Sequence, residues 1–146
     1  VRFSAIDLEK GDRMIDANAI SKLCQAAFEA RGKAYAPYSQ FPVGAAVLCS
    51  EEKIFSGCNV ENASFGLTIC AERVALCKAV SEGESSPIAI ALATSGGRNP
   101  CGACRQVMAE FAADLRVFVG DADRPDEPFV ETSLRELLPG TFRFTR

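Results

Sequence analysis

Between residues 70 and 119 the chain alternates CAERVALCKAV (70–80), IAIALAT (88–94), GACRQVMAEFA (102–112) and LRVFV (115–119). The first reads as a helix ending near Gly83, the second as a strand, the third as a helix and the fourth as a strand. Strand-helix-strand units of this length imply right-handed parallel crossovers. This stretch therefore makes the domain α/β.

Outward from it the pattern changes. Upstream, Asp16 is placed to cap a helix whose apolar residues Ile20, Leu23, Cys24, Ala27 and Phe28 recur at three-to-four spacing. That helix should stop before Ala36-Pro37, since proline disfavours helical backbone in the residue before it. Val43 to Cys49 is a continuous small-apolar run, expected to be a strand buried on both faces. The polar turn Ser50–Lys53 joins it to Ile54–Val60, and so short a connection makes the two strands antiparallel neighbours. Downstream, Phe129-Val130 follows Val119 too closely for a parallel crossover, so the last strand should be antiparallel. Ser133 and Glu136 have the spacing of a capping box for a short helix ending at Leu138-Pro139-Gly140. The expected fold is one three-layer α/β/α domain around a mixed five-stranded sheet. The first methionine is Met14, so residues 1–13 read as an N-terminal extension or cloning remnant and 14–146 as the catalytic domain.

Composition bounds the function. The chain has 146 residues, 48% hydrophobic and 24% charged, the balance of one soluble domain. No apolar run approaches the ~18 residues of a membrane span, and the N-terminus lacks a signal-peptide core. A cytoplasmic location is expected. Histidine is absent, which excludes Ser-His-Asp and Cys-His triads and histidine metal cages. The seven cysteines are an odd number, pointing to metal or catalysis before disulfides. With a net charge of -3 and no Lys/Arg cluster, nothing suggests nucleic-acid binding. A small neutral substrate fits better.

The chemistry is concentrated in Cys70-Ala71-Glu72-Arg73 and Pro100-Cys101-Gly102-Ala103-Cys104, each opening a helix after a loop. Cys101 and Cys104 are spaced to share one helix face and one tetrahedral zinc, with Cys70 as the third thiolate from the other helix. Helix N-termini favour the thiolate form. Cys77 lies ~10 Å along the helix from Cys70 and cannot join it on one ion. Cys24, Cys49, Cys58 and Cys77 read as core. Three ligands with an open fourth position describe catalytic zinc, whose bound water ionises near neutral pH. Glu72 is placed to take that water's proton and deliver it to the substrate. Arg73 can donate to the sulfurs and offset the excess negative charge of three thiolates.

A zinc ligand, a glutamate two residues on, and Pro-Cys-x-x-Cys are the signature of zinc-dependent deaminases. With cysteine as the first ligand, the chain resembles the cytidine deaminase family of free-nucleoside enzymes. The likeness runs from Tyr35 to Phe142 and includes YAPYSQFPVGAA (35–46), GCNVENA (57–63), PCGACRQV (100–107) and ELLPG (136–140). The resemblance implies hydrolysis of cytidine and 2′-deoxycytidine to uridine and 2′-deoxyuridine with release of ammonia, in pyrimidine salvage, with one Zn²⁺ per subunit. It implies that Phe41 packs against the base, that Asn59 and Glu61 bind the ribose 3′-hydroxyl, and that the Ala71 amide takes the 2-oxo group. It also implies a homotetramer with shared active sites, to which Phe142 is lent across an interface. Phe65 departs from the pattern, standing where relatives often carry Tyr near the 5′ end of the ribose.

Blander readings compete with these residue by residue. Cys101 and Cys104 alone could be half a structural zinc site or a redox dithiol, and Glu72 and Arg73 ordinary surface residues. Three other functions compete as well: deamination of a related compound such as blasticidin S, polynucleotide editing, and a non-enzymatic zinc module. The full 35–41 and 59–61 segments favour cytidine over the first, and the charge balance argues against the second.

Overall fold

The computed structural model describes residues 15–50 and 53–144. The strands are β1 (Gly44–Cys49), β2 (Ile54–Cys58), β3 (Pro87–Thr94), β4 (Arg116–Asp121) and β5 (Val130–Ser133). The helices are α1 (Ala17–Arg31), α2 (Ala71–Ser81), α3 (Gly102–Phe111) and α4 (Leu134–Leu137). One sheet contains all five strands, in the order β2-β1-β3-β4-β5. β1 is antiparallel to both β2 and β3, β3 is parallel to β4, and β4 is antiparallel to β5. The mixed sheet and the antiparallel last strand are as expected. β2 and β3 run in the same direction with β1 between them.

All six β1 positions are buried, because helices cover both faces of the sheet. Ala45, Val47, Ile90, Leu92 and Val117 face α2, α3 and α4. Ala46, Leu48, Ala89, Ala91 and Phe118 face α1, which contributes Ala19, Leu23, Cys24 and Ala27. This is the three-layer arrangement.

Two glycines set how closely the helices approach. A Cβ at Gly44 would lie 2.0 Å from the Ala27 carbonyl oxygen and 2.3 Å from the Arg31 nitrogen. α1 therefore rests on β1 backbone against backbone. A Cβ at Gly57 would lie 2.6 Å from the Ala75 nitrogen and 2.9 Å from the Ala71 carbonyl oxygen. The first turns of α2 are drawn down onto β2 in the same way.

Local details differ from the sequence reading. Asp16 occupies the N-cap of α1, but its side chain accepts no capping hydrogen bond. Ile20 and Phe28 are only half-buried, at the margin of the α1 stripe. β2 ends at Cys58, because Val60 pairs instead with Tyr35 and Ile69 in isolated bridges. Cys24 and Cys49 are buried as expected and Cys58 is half-buried, whereas Cys77 is exposed and not part of the core. The capping box is present: Ser133 Oγ accepts from the Glu136 N–H at 3.2 Å, and the Glu136 carboxylate accepts from the Ser133 N–H at 3.0 Å. Residues 1–13, and residues 51–52 of the expected turn, lie outside the described residues. Among the described residues no helix is long and apolar enough to cross a membrane.

Gly44→Ala forces a methyl group into backbone atoms that have no side-chain freedom to retreat. The variant should lose about 2–3 kcal/mol of stability in urea denaturation, the usual scale of overpacking. An unchanged midpoint would show that α1 can lift from β1 at no cost.

Candidate active site

Cys70 and Cys101 are the N-cap residues of α2 and α3, with extended backbone and no capping hydrogen bond from the side chain. Their thiols are thus free to point away from their own helices. Cys101 lies just outside α3 and not on its face, while Cys104 sits in the first turn. The three Sγ atoms lie within 4.8 Å of one another. Zn–S bonds of 2.3 Å in a tetrahedron require S···S edges of about 3.8 Å, so the cluster has the right scale.

The electrostatics also fit a cation. The Cys104 thiol and then the Arg73 guanidinium hold the Cys70 thiol down at about 5, against the opposing effect of burial. Cys104 is pushed up, first by its hydrogen bond to Cys70 and then by burial. A divalent ion binding such a set displaces the protons of its thiols. Arg73 donates from Nη2 to Cys70 Sγ at 3.6 Å and to the Thr68 carbonyl at 3.1 Å. Its buried Nε finds no acceptor among the described residues. A guanidinium held this close suits a cluster that becomes triply anionic. The donor set and its surroundings fit zinc bound by Cys70, Cys101 and Cys104, with a fourth position left for a small ligand.

Beside the thiols is a cleft of about 420 Å³, whose wall includes Phe41, Asn59, Glu61, Cys70, Ala71, Glu72 and Cys101. It lies beyond the C-terminal ends of β2 and β3, where α/β sheets commonly receive ligands. Glu72 is only 4% exposed, on the buried side of α2 with Ala75 and Leu76. Burial, reinforced by the charge on Cys70, raises its carboxyl above the usual carboxylate range. Ala71 opens α2, so its N–H has no carbonyl one turn back to bond to. Seven of the expected site residues thus meet in one cleft, with Cys104 buried behind them.

The structure gives Asn59 and Glu61 a role in bracing a loop, in line with the alternative that Asn59-Val60-Glu61 is turn chemistry at a strand end. Asn59 Oδ1 accepts from the Val43 N–H at 2.8 Å, and Nδ2 donates to the Phe41 carbonyl at 3.0 Å. The Glu61 carboxylate accepts from the Tyr38 and Ser39 N–H groups at 2.9 and 3.2 Å and from the Ser39 hydroxyl. Those bonds, the hydroxyl first, keep Glu61 below the usual carboxylate range. Both residues brace the loop that carries Phe41. Each keeps spare capacity for a ligand: one Nδ2 proton on Asn59 and further lone pairs on Glu61.

Phe142 is not in the cleft of its own chain. It is 73% exposed, and its carbonyl accepts from Gln106 Nε2 at 3.1 Å. Phe65 is also exposed and packs edge-on against Tyr38 with ring centroids 5.9 Å apart. Arg105 is a residue the sequence reading missed. It donates from Nε to the Pro100 carbonyl and from Nη1 to the Leu137 carbonyl, both at 2.7 Å, tying the Cys101 turn to the end of α4. Its place directly after Cys104 was the only hint in the sequence.

Compared with known proteins, residues 17–120 match the profile of the cytidine and deoxycytidylate deaminase zinc-binding region. The chain belongs to this deaminase family. It is 50% identical over 123 residues to the cytidine deaminase of Halalkalibacterium halodurans, covering 82% of this chain and 91% of that protein. Identity to the cytidine deaminase of Sporosarcina psychrophila is 45% over 126 residues, covering 84% and 90%. The crystal structure of Burkholderia pseudomallei cytidine deaminase superposes with a TM-score of 0.78 at 46% identity, covering 84% of this chain and 98% of that one. That of Mycobacterium tuberculosis cytidine deaminase gives 0.72 at 39% identity, covering 86% and 98%. Membership of this deaminase family and the three-cysteine cluster together make Zn²⁺ the cofactor.

Replacing one buried sulfur leaves two ligands, too few for a stable site. Cys104→Ala should therefore purify with little zinc by atomic emission, whereas the wild type holds about one ion per chain. Full zinc in the variant would remove Cys104 from the ligand set.

Proposed function

We propose that this deaminase hydrolyses cytidine and 2′-deoxycytidine to uridine and 2′-deoxyuridine, releasing ammonia, with Cys70, Cys101 and Cys104 holding one Zn²⁺ per subunit. The observation that carries this reading is the buried Glu72 carboxyl in the cleft wall, two residues from one thiol of the cluster. When bound, zinc supplies a water that ionises near neutral pH. Glu72 takes the proton of the attacking water and passes it to N3 of the base as C4 becomes tetrahedral. It then takes the remaining proton from the hydroxyl now on C4 and delivers it to the amino group, so the C4–N bond breaks, ammonia leaves and the 4-oxo group of uridine remains. Enclosure matters here, because a carboxyl shielded from bulk water returns its proton to the substrate.

Binding follows from the other walls. Phe41 packs against the base, and the Ala71 N–H takes the 2-oxo group. Asn59 and Glu61 bind the ribose 3′-hydroxyl with the capacity their loop contacts leave free. Phe65 supplies no hydroxyl near the 5′ end of the ribose. Reduced thiolates and a free nucleoside suit a reducing cytoplasm and a part in pyrimidine salvage.

The enzyme is proposed to be a homotetramer that completes each active site with Phe142 of a neighbouring copy. Supporting this, Tyr35, Val60 and Ile69 are bridged to one another and exposed, with Tyr38, Phe65 and Leu67 exposed alongside. Apolar patches of this extent mark interaction surfaces. Light scattering of the wild type should give the mass of four chains, and Leu67→Glu should shift it toward the monomer. A monomeric wild type at micromolar concentration would contradict the assembly.

The catalytic reading is tested by following the ultraviolet absorbance of cytidine with wild type and Glu72→Ala, after zinc is measured in both. The variant should keep its zinc and lose turnover by ~10⁴-fold or more, since one carboxyl serves several proton transfers. A near-wild-type rate would remove Glu72 from the chemistry.

A further inference from the structure

We infer that Arg31 is a positioning residue that ties together two segments lining the cleft, the one presenting Phe41 and the one leading to Cys101, and so sets the slot for the base. This rests on the reading that Phe41 packs against that base. Arg31 is the last residue of α1, and it donates from Nε to the Pro42 carbonyl and from Nη2 to the Ser95 hydroxyl, each at 3.1 Å. Pro42 belongs to the wall that presents Phe41. Ser95 follows β3, whose Ala93 pairs with Gly44, and begins the segment that carries Arg98, Asn99 and Cys101 in the cleft lining.

Accounting for the backbone around Phe41 shows why this contact matters. The Phe41 N–H donates to Ser39 Oγ, and its carbonyl accepts from Asn59 Nδ2. The Val43 N–H donates to Asn59 Oδ1, and its carbonyl accepts from the Asn59 N–H. Pro42 has no N–H to place, and Arg31 takes its carbonyl. Every backbone polar group from Phe41 to Val43 is satisfied. Arg31 alone among these partners also bonds to the segment that leads from β3 to Cys101.

The base of the arginine is itself fixed. Its backbone nitrogen lies 2.3 Å from where a Gly44 Cβ would stand, so α1 holds it against the start of β1. A guanidinium can serve two acceptors at once through its planar fork, which an ammonium cannot reproduce. Arg31 thus acts on the substrate slot without lining it.

The test uses the zinc-loaded full chain as wild type, Arg31→Lys and Ser95→Ala. Steady-state rates on cytidine are combined with amide hydrogen exchange of the ligand-free proteins. Arg31→Lys should raise KM by ~5-fold or more while kcat stays within ~2-fold, because binding geometry loosens and proton transfer does not. Exchange should quicken by ~10-fold in both 38–44 and 94–99, with α3 unchanged. Ser95→Ala should loosen 94–99 and raise KM less, and it decides the matter if Arg31→Lys does not fold. Unchanged KM and exchange in Arg31→Lys would overturn the inference, as would a loss of kcat at constant KM. A wild type inactive on cytidine would refute the proposed reaction instead, and the exchange data would still judge the bridge.

Discussion

Three sulfurs held within 4.8 Å of one another repel as soon as they ionise, and the rest of this fold is arranged so that they can. Two of them start helices, where unpaired N–H groups and the helix dipole favour negative charge. Arg73 adds a full positive charge at 3.6 Å from Cys70. Zinc supplies what remains. To bring two helix N-termini to one point, α2 and α3 must follow strands that run the same way, as β2 and β3 do on either side of β1. Gly57 then lets the first turns of α2 settle onto β2, carrying Glu72 down with Cys70.

Polar groups around the cleft hold its frame, and on the proposed reading some of them also meet the ligand. Asn59 is almost fully buried, yet both ends of its amide are bonded to the loop at Phe41–Val43. Arg105 holds the turn before Cys101 through two carbonyls, one of them at the end of α4. Such satisfied networks cost little to bury and leave few alternative conformations. On the proposed mechanism, a rigid frame of this kind lets proton transfer depend on a single carboxyl held close to the three thiols.

Much of this was legible in the sequence. Val43–Cys49 reads as doubly buried because it has no polar position, and Ser133 with Glu136 reads as a cap because the spacing has one geometric use. The cysteine and glutamate spacings pointed to the cluster because few other arrangements put those groups together. Pairing order was less readable: nothing local says that β1 separates β2 from β3. Val60 leaves β2 because its partners, Tyr35 and Ile69, lie in loops with no strand pattern. Arg31 and Arg105 escaped notice because one acceptor of each lies 64 and 32 residues away, where no periodicity reports it. Cys77 was misread as core since a small apolar residue on an amphipathic helix carries little sign of which side it faces.

The central claim is a metal held by three sulfurs with one position open to a light-atom ligand. X-ray absorption at the zinc edge of the purified protein tests it most directly. The account predicts three sulfur scatterers at about 2.3 Å and one oxygen or nitrogen at about 2.0 Å. Four sulfurs would make the site closed and structural, and fewer than three would remove one of Cys70, Cys101 and Cys104 from it.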